Sequence, residues 1–193
     1  MGRNPEDDAI KVLGGRALQF VFPGAAPAEE SPSLILVEGQ PGAGTSRVAA
    51  RAASGRASVS RDGLHALHPD FVAAARHDPL GAAAANDELV TEALLSVLGH
   101  TRSQRRSLTV DAAFQSPTAR IVAESFAADG FGTHLTLVGA SRPESLLAST
   151  SRYLVQRRRN LPAVFTSRDG HERAWDGVRE LATSAEEAMH LVD

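Results

Sequence analysis

The sequence predicts an α/β fold in three layers, a mainly parallel sheet flanked by helices, and three observations predict it. Short apolar runs alternate along the chain with longer segments whose apolar residues recur at helical spacing. The first run, Ser33-Leu34-Ile35-Leu36-Val37, is apolar on both faces, as a strand covered from two sides must be. It leads straight into a glycine-rich loop and a helix-forming segment, the local order of a strand–loop–helix unit.

Each element follows from its own residues. Ala9 to Phe22 has spaced apolar residues for a helix or two, with Gly14-Gly15 expected to interrupt them. Pro23 to Pro32 reads as a connecting loop. Ser46 to Ala53 is the helix after the glycines, with Gly55 as its stop, and Ala57-Ser58-Val59-Ser60 is a weak second strand. From Asp87 to Gly99, Leu89, Val90, Ala93, Leu94, Val97 and Leu98 share one helical face. Ser107-Leu108-Thr109-Val110 is a third strand, Thr118 to Ala128 a helix, and Gly132 to Val138 a fourth strand rich in β-branched residues. Pro143 to Tyr153 is helical, opened by the capping-box pattern Ser141-x-x-Glu144. Arg173 to Ala182 is another helix, and Ala185 to Met189 a last turn leading into Leu191-Val192. At 193 residues the chain reads as one domain, 1–193, with 1–32 as a helical segment and Pro-rich loop.

Composition narrows the function classes. Twenty basic against twenty-three acidic residues leave a formal charge of −3, which predicts no general affinity for nucleic acid or anionic membrane. There is no cysteine, so disulfides and thiolate metal sites are excluded. No apolar run approaches the ~20 residues of a membrane span, and the start MGRNPEDDAIK is unlike a signal peptide. A soluble, cytoplasmic protein is the expectation.

Gly39-Gln40-Pro41-Gly42-Ala43-Gly44-Thr45-Ser46 follows the phosphate-loop pattern G-x-x-x-x-G-K-[ST] at every place but the seventh. The glycines let backbone N–H groups turn toward a phosphate chain, and the helix start favours the same anion. Ser46 is placed to hold Mg²⁺. The loop therefore predicts a P-loop NTPase-type fold with ATP and Mg²⁺ as ligands. Thr45 stands where the lysine that neutralises the transferring phosphoryl group belongs. Losing one preorganised donor of that kind lowers rates by roughly 10²–10³. Backbone binding of nucleotide survives that loss; catalysis is the exposed part. Arg47 is adjacent, but its side chain is expected to point elsewhere on the helix.

From this loop onward the chain resembles the zeta-toxin family. Its members are the kinases of type II toxin–antitoxin systems that phosphorylate UDP-N-acetylglucosamine. GQPGAGTSR resembles the family's GQPGxGK[ST]. Asp62-Gly63-Leu64-His65-Ala66-Leu67-His68-Pro69 resembles D-x-[FL]-x-x-x-H-P, Val90-Thr91-Glu92-Ala93 sits like a helical [MVW]-T-E-A, and Val110-Asp111-Ala112-Ala113 sits after the third strand where members have Glu. The resemblance implies that Asp62 is the general base toward a UDP-sugar hydroxyl, and that Thr91, Glu92 and Asp111 lie on the substrate side. Arg152, in Ser151-Arg152-Tyr153, would face the phosphates. It also implies a small helical antitoxin covering the ATP site, and members commonly continue into another strand at the place of Leu191-Val192-Asp193.

Plainer readings stand beside these. A carboxylate near the loop at a strand end suits proton removal, yet Asp62 could instead cap a helix beginning at Gly63. Glu92 could sit on a solvated helix face. His68-Pro69 reads as the end of a short helix, and His65 with His68 lacks further ligands for a metal site. For a second phosphate arginine before His171, the candidates Arg157, Arg158, Arg159 and Arg168 compete, and Val164 stands seven residues before it. A triple arginine is also what a solvated face looks like. Ser60 occupies a place where members often have an acid. Thr45 fits three accounts: deliberate inactivation, natural decay, or charge supplied instead by Arg152 and the other arginines. The reading is thus a kinase weakened or silenced by Thr45. Its rivals are a non-catalytic nucleotide- or partner-binding protein and a kinase of the same fold acting on a small molecule such as an antibiotic.

Overall fold

The computed structural model describes residues 5–190 apart from 69, 79–80, 113–115 and 162. In chain order these form α1 (Pro5–Val21), β1 (Ser33–Gly39), α2 (Thr45–Ala53), β2 (Ser58–Ser60), α3 (Arg61–Leu67), α4 (Phe71–His77) and α5 (Ala82–Ala85). Next come α6 (Asp87–Ser103), β3 (Leu108–Asp111), α7 (Ser116–Ala128), β4 (Gly132–Val138), α8 (Arg142–Arg158) and α9 (Arg168–His190). Pro69, Ala113 and Leu191-Val192-Asp193, which carried sequence expectations, lie outside the described residues.

All four strands pair in parallel, in the order β2-β3-β1-β4. The two central strands are the most buried, and Leu34, Leu36 and Val37 of β1 are sealed from solvent with Leu108 and Val110 of β3. That is why β1 is apolar at consecutive positions. One cluster of buried side chains gathers Leu13 and Ala17 of α1, β1, β3, Val90 to Leu98 of α6, Phe126 of α7 and Leu181 of α9. The order has a functional consequence. From β1 the chain crosses through α2 to β2, on the far side of β3; from β3 it crosses through α7 to β4, on the far side of β1. The connections diverge between β1 and β3, and such a switch point leaves a crevice at the carboxyl ends of the two strands.

Several expectations are corrected. Gly14-Gly15 does not interrupt α1, which runs unbroken for 17 residues. A Cβ on Gly14 would lie 3.3 Å from Ser96 Oγ of α6, so a small residue here lets the two helices approach. Burial of Leu13, Ala17 and Val21 outweighs the ~1 kcal/mol that a helical glycine costs. The C-terminal segments are one helix of 23 residues, not a helix and a turn. Helices α4 and α5 were not foreseen; Phe71, Ala75 and Ala82 anchor them in a small cluster of their own. The capping box at Ser141 is not formed: the Ser141 hydroxyl donates to Glu144 Oε2 at 2.6 Å rather than accepting from the helix backbone. Among the described residues no helix is long and apolar enough to cross a membrane.

Candidate functional site

The loop between β1 and α2 is held by contacts that only its own residues can make. Gly42 and Gly44 have φ of 88° and 95°, in the left-handed region that other residues enter with strain. Gly42 also lies against the backbone of α8: an added Cβ would be 2.9 Å from Ser149 N and closer still to Ser145 O. At Gly39 it would meet Val138 O at 2.5 Å and Thr45 Cγ2 at 2.7 Å. Gln40 is buried and donates through Nε2 to Ala140 O at 2.6 Å, tying the loop to the β4–α8 junction. No side chain caps α2, whose N-cap is Gly44. Its first amides thus keep their capacity for an anion, and the helix dipole favours one there. Thr45 is 9% exposed and turns its methyl toward Gly39, so it fills space within the loop and brings no charge.

A cleft of about 680 Å³ opens at this loop, at the β1–β3 switch point. Gly39 to Arg47 line it together with Ser60, Arg61, Asp62, Asp111 and Arg152. Asp62 reaches it from the first turn of α3. The capping reading of Asp62 is overturned, because α3 begins at Arg61 and Ser60 is its cap, accepting from Gly63 N at 3.0 Å. With the cap supplied by Ser60, the Asp62 carboxylate is left for another partner. Its Oδ2 lies 3.3 Å from Arg152 Nη1 of α8, so the two residues proposed for proton removal and phosphate clamping meet in the cleft. Both side chains are well exposed, 47% and 38%, and a pair so hydrated contributes at most ~1 kcal/mol. A ligand can therefore separate them readily.

Asp111 ends β3 beside Val37 of β1 and is 8% exposed. Its Oδ1 is buried with no hydrogen-bond partner among the described residues. A buried carboxylate oxygen without a donor is costly unless a cation satisfies it. With the Ser46 hydroxyl at the start of α2, it offers the oxygen donors that Mg²⁺ takes beside phosphate and water. The donor set fits a nucleotide-bound Mg²⁺. It does not fit a metal held by protein alone, since no group of three or more acidic, His or Cys ligands occurs among the described residues. This includes His65 and His68. His65 is buried against Phe71, 5.1 Å between ring centroids, and burial followed by the Arg61 charge pushes its pKa below 6.5. His68 Nδ1 accepts from Asp70 N at 3.2 Å.

Other predicted residues fall elsewhere. Thr91 and Glu92 do not line the cleft. Thr91 accepts from Arg61 Nη2 at 2.9 Å and donates to Asp87 O at 2.8 Å, while Asp87 binds the same guanidinium at 2.6 Å. Thr91 thus holds Arg61, which does line it. None of Arg157, Arg158, Arg159 or Arg168 is at the cleft. Arg157 donates to Ala75 O of α4 at 3.1 Å, and the other three are exposed. His171 is fully buried, with Nε2 2.9 Å from the Ser145 hydroxyl, and joins α9 to α8 where α8 covers Gly42. Arg47, at the start of α2, is itself among the residues lining the cleft. Glu38, Arg61, Ala148, Thr166 and Ala174 also line it and were not foreseen; Thr166 and Ala174 carry no sequence signal and come from the segment before α9 and from α9 itself.

A family model described as Zeta toxin matches residues 23–193. Among solved structures, one of the PezAT chromosomal toxin–antitoxin system of the human pathogen Streptococcus pneumoniae shares the fold, at a TM-score of 0.70 and 17% identity, covering 93% of this chain and 74% of that one. A gluconokinase from Sinorhizobium meliloti 1021 aligns over 83% of this chain and 99% of its own at 17% identity, with a TM-score of 0.43. No curated protein matches the chain.

Proposed function

The chain belongs to the zeta toxin family, and on that premise we propose that it is an ATP-dependent phosphotransferase. The acceptor is a hydroxyl of a UDP-sugar, UDP-N-acetylglucosamine, and the unit is a single domain over residues 1–193. The loop amides from Gly39 to Ser46 and the start of α2 hold the phosphate chain. Ser46 and Asp111 would hold Mg²⁺, which would neutralise phosphate charge there. Asp62 takes the proton of the attacking hydroxyl as its oxygen bonds the γ-phosphorus and ADP leaves, and Arg152, released from Asp62, steadies the γ-phosphate. Thr91 acts toward the sugar-nucleotide side through Arg61, and Glu92, on the same helix, is assigned to that side by the family resemblance alone. A small helical antitoxin is the expected partner, and the cytoplasm the expected location.

The observation that carries this reading is the meeting of Asp62 and Arg152, from separate elements, in the cleft of the glycine loop. A carboxylate base and a guanidinium clamp are what a phosphoryl transfer to an alcohol needs beside a phosphate cradle. Thr45 makes the chain slow: the Thr45→Lys variant should turn over ATP with UDP-N-acetylglucosamine roughly 10²–10³ times faster. If the Thr45→Lys protein were inert and bound neither ligand, the kinase reading would be wrong. The buried, uncharged Thr45 at the start of α2 favours a second reading, a nucleotide- or partner-binding protein that has left catalysis behind. A Thr45→Lys protein that binds ATP but transfers no phosphate to this sugar would select it, unless a substrate screen finds another small hydroxyl acceptor.

A further inference from the structure

We infer that Arg47 takes over the role of the missing loop lysine, meeting the phosphates of a bound nucleotide from the open side of the cleft. The inference rests on the nucleotide-site reading above and concerns how this chain compensates for Thr45.

Charge balance leads to it. The charged side chains lining the cleft are Arg47, Arg61 and Arg152 against Glu38, Asp62 and Asp111, so their formal charges cancel. A lysine at position 45 would have left an excess of one positive charge for a polyanionic ligand. Two of the three arginines are engaged. Arg61 is held by Asp87 at 2.6 Å and by Thr91 at 2.9 Å, and Arg152 pairs with Asp62 at 3.3 Å. The Arg47 guanidinium makes no hydrogen bond or ion pair with any described residue. It is the cation in the cleft whose charge is uncommitted among those residues.

Its place on the helix says how it can act. Thr45, Ser46 and Arg47 are the first three residues of α2, the turn whose amides face an anion. Successive helical residues are about 100° apart, so Arg47 leaves the axis roughly 200° round from Thr45. Only a long side chain can return to the cleft from there, and an arginine has the length; Arg47 is among the residues lining it. Its planar guanidinium can fork two phosphate oxygens. Because it is solvated at the rim before ligand arrives, holding it there carries little desolvation cost. It approaches from outside the loop rather than through its centre, so a lysine at 45 should make it redundant.

That redundancy is the test. Mg·ATP binding to the full chain is measured by titration calorimetry for the wild type, Arg47→Ala, Thr45→Lys and the double variant, with thermal melts to verify folding. Arg47→Ala should weaken ATP about tenfold in the wild-type background, as loss of one charge-assisted hydrogen bond does, and less than about threefold beside Thr45→Lys. Arg47→Lys should retain most of the affinity. An Arg47→Ala loss below about twofold in the wild type, or an equal loss in both backgrounds, overturns the inference. ATP bound by the wild type and Thr45→Lys proteins with indifference to Arg47 removes this inference alone. Failure of both proteins to bind ATP removes the nucleotide site itself, and the role of Arg47 with it.

Discussion

Three glycine-to-alanine changes separate the two reasons for glycine in this chain. At Gly42 both apply: φ is 88°, and the added Cβ would lie 2.9 Å from Ser145 C and Ser149 N, inside the 3.0 Å that real Cβ atoms respect. The left-handed backbone costs roughly 1–2 kcal/mol for alanine, and displacing packed backbone about 1–3 more. Gly42→Ala should therefore lose roughly 2–5 kcal/mol, and at 2–4 °C per kcal/mol the melting temperature should fall by roughly 4–20 °C. At Gly44 φ is 95° but nothing lies within 4 Å of the new Cβ, so only the backbone term remains, about 1–2 kcal/mol. At Gly15, inside α1, neither applies, and alanine should stabilise by up to ~1 kcal/mol. Thermal unfolding in the absence of ligand should thus rank Gly42→Ala below Gly44→Ala, below the wild type, below Gly15→Ala. Gly42→Ala melting with Gly44→Ala would refute the close packing of α8 on the loop. The same change should displace Arg152, which α8 carries.

Two further outcomes follow from the site. In the Thr45→Lys background, Asp62→Asn should lower turnover by about 10²–10⁴ while shifting stability by less than about 1 kcal/mol, since its ion pair is hydrated; turnover within tenfold of the parent would exclude Asp62 as the base. For His65, burial and Arg61 depress the folded pKa below 6.5, so on acidification the unfolded chain takes up the proton first. Stability should then fall as pH drops from about 7 through the range below 6.5, and His65→Gln should flatten that slope in urea titrations at successive pH values. An unchanged slope would mean that His65 is not what binds the proton.

Where a feature depends on neighbours in sequence, the residues themselves reveal it. The alternation of strands and helices, the apolar run of β1, the loop glycines and the acids at Asp62 and Asp111 all fall in this class. Backbone conformation and strand burial act over a few residues and leave a local pattern. The short, alanine-rich α4 and α5 leave none: seven and four residues are too few for a helical period to stand out, and packing around Phe71 orders them. Gly14-Gly15 misleads for the converse reason, since a local helix breaker is overruled by a helix packed across it.

By itself, then, the sequence determined the parallel α/β fold, the phosphate cradle with Ser46, and the want of a lysine at Thr45. Tertiary structure alone decided which charges share that cradle. It gave the capping of α3 to Ser60, set Asp62 against Arg152, withdrew Thr91 into the support of Arg61 and put Arg47 among the residues lining the cleft. The physical reason is one of reach. Torsions and hydrophobic patterning are encoded over a turn or a strand, whereas the partner of a charged side chain is chosen among residues brought together from distant parts of the chain.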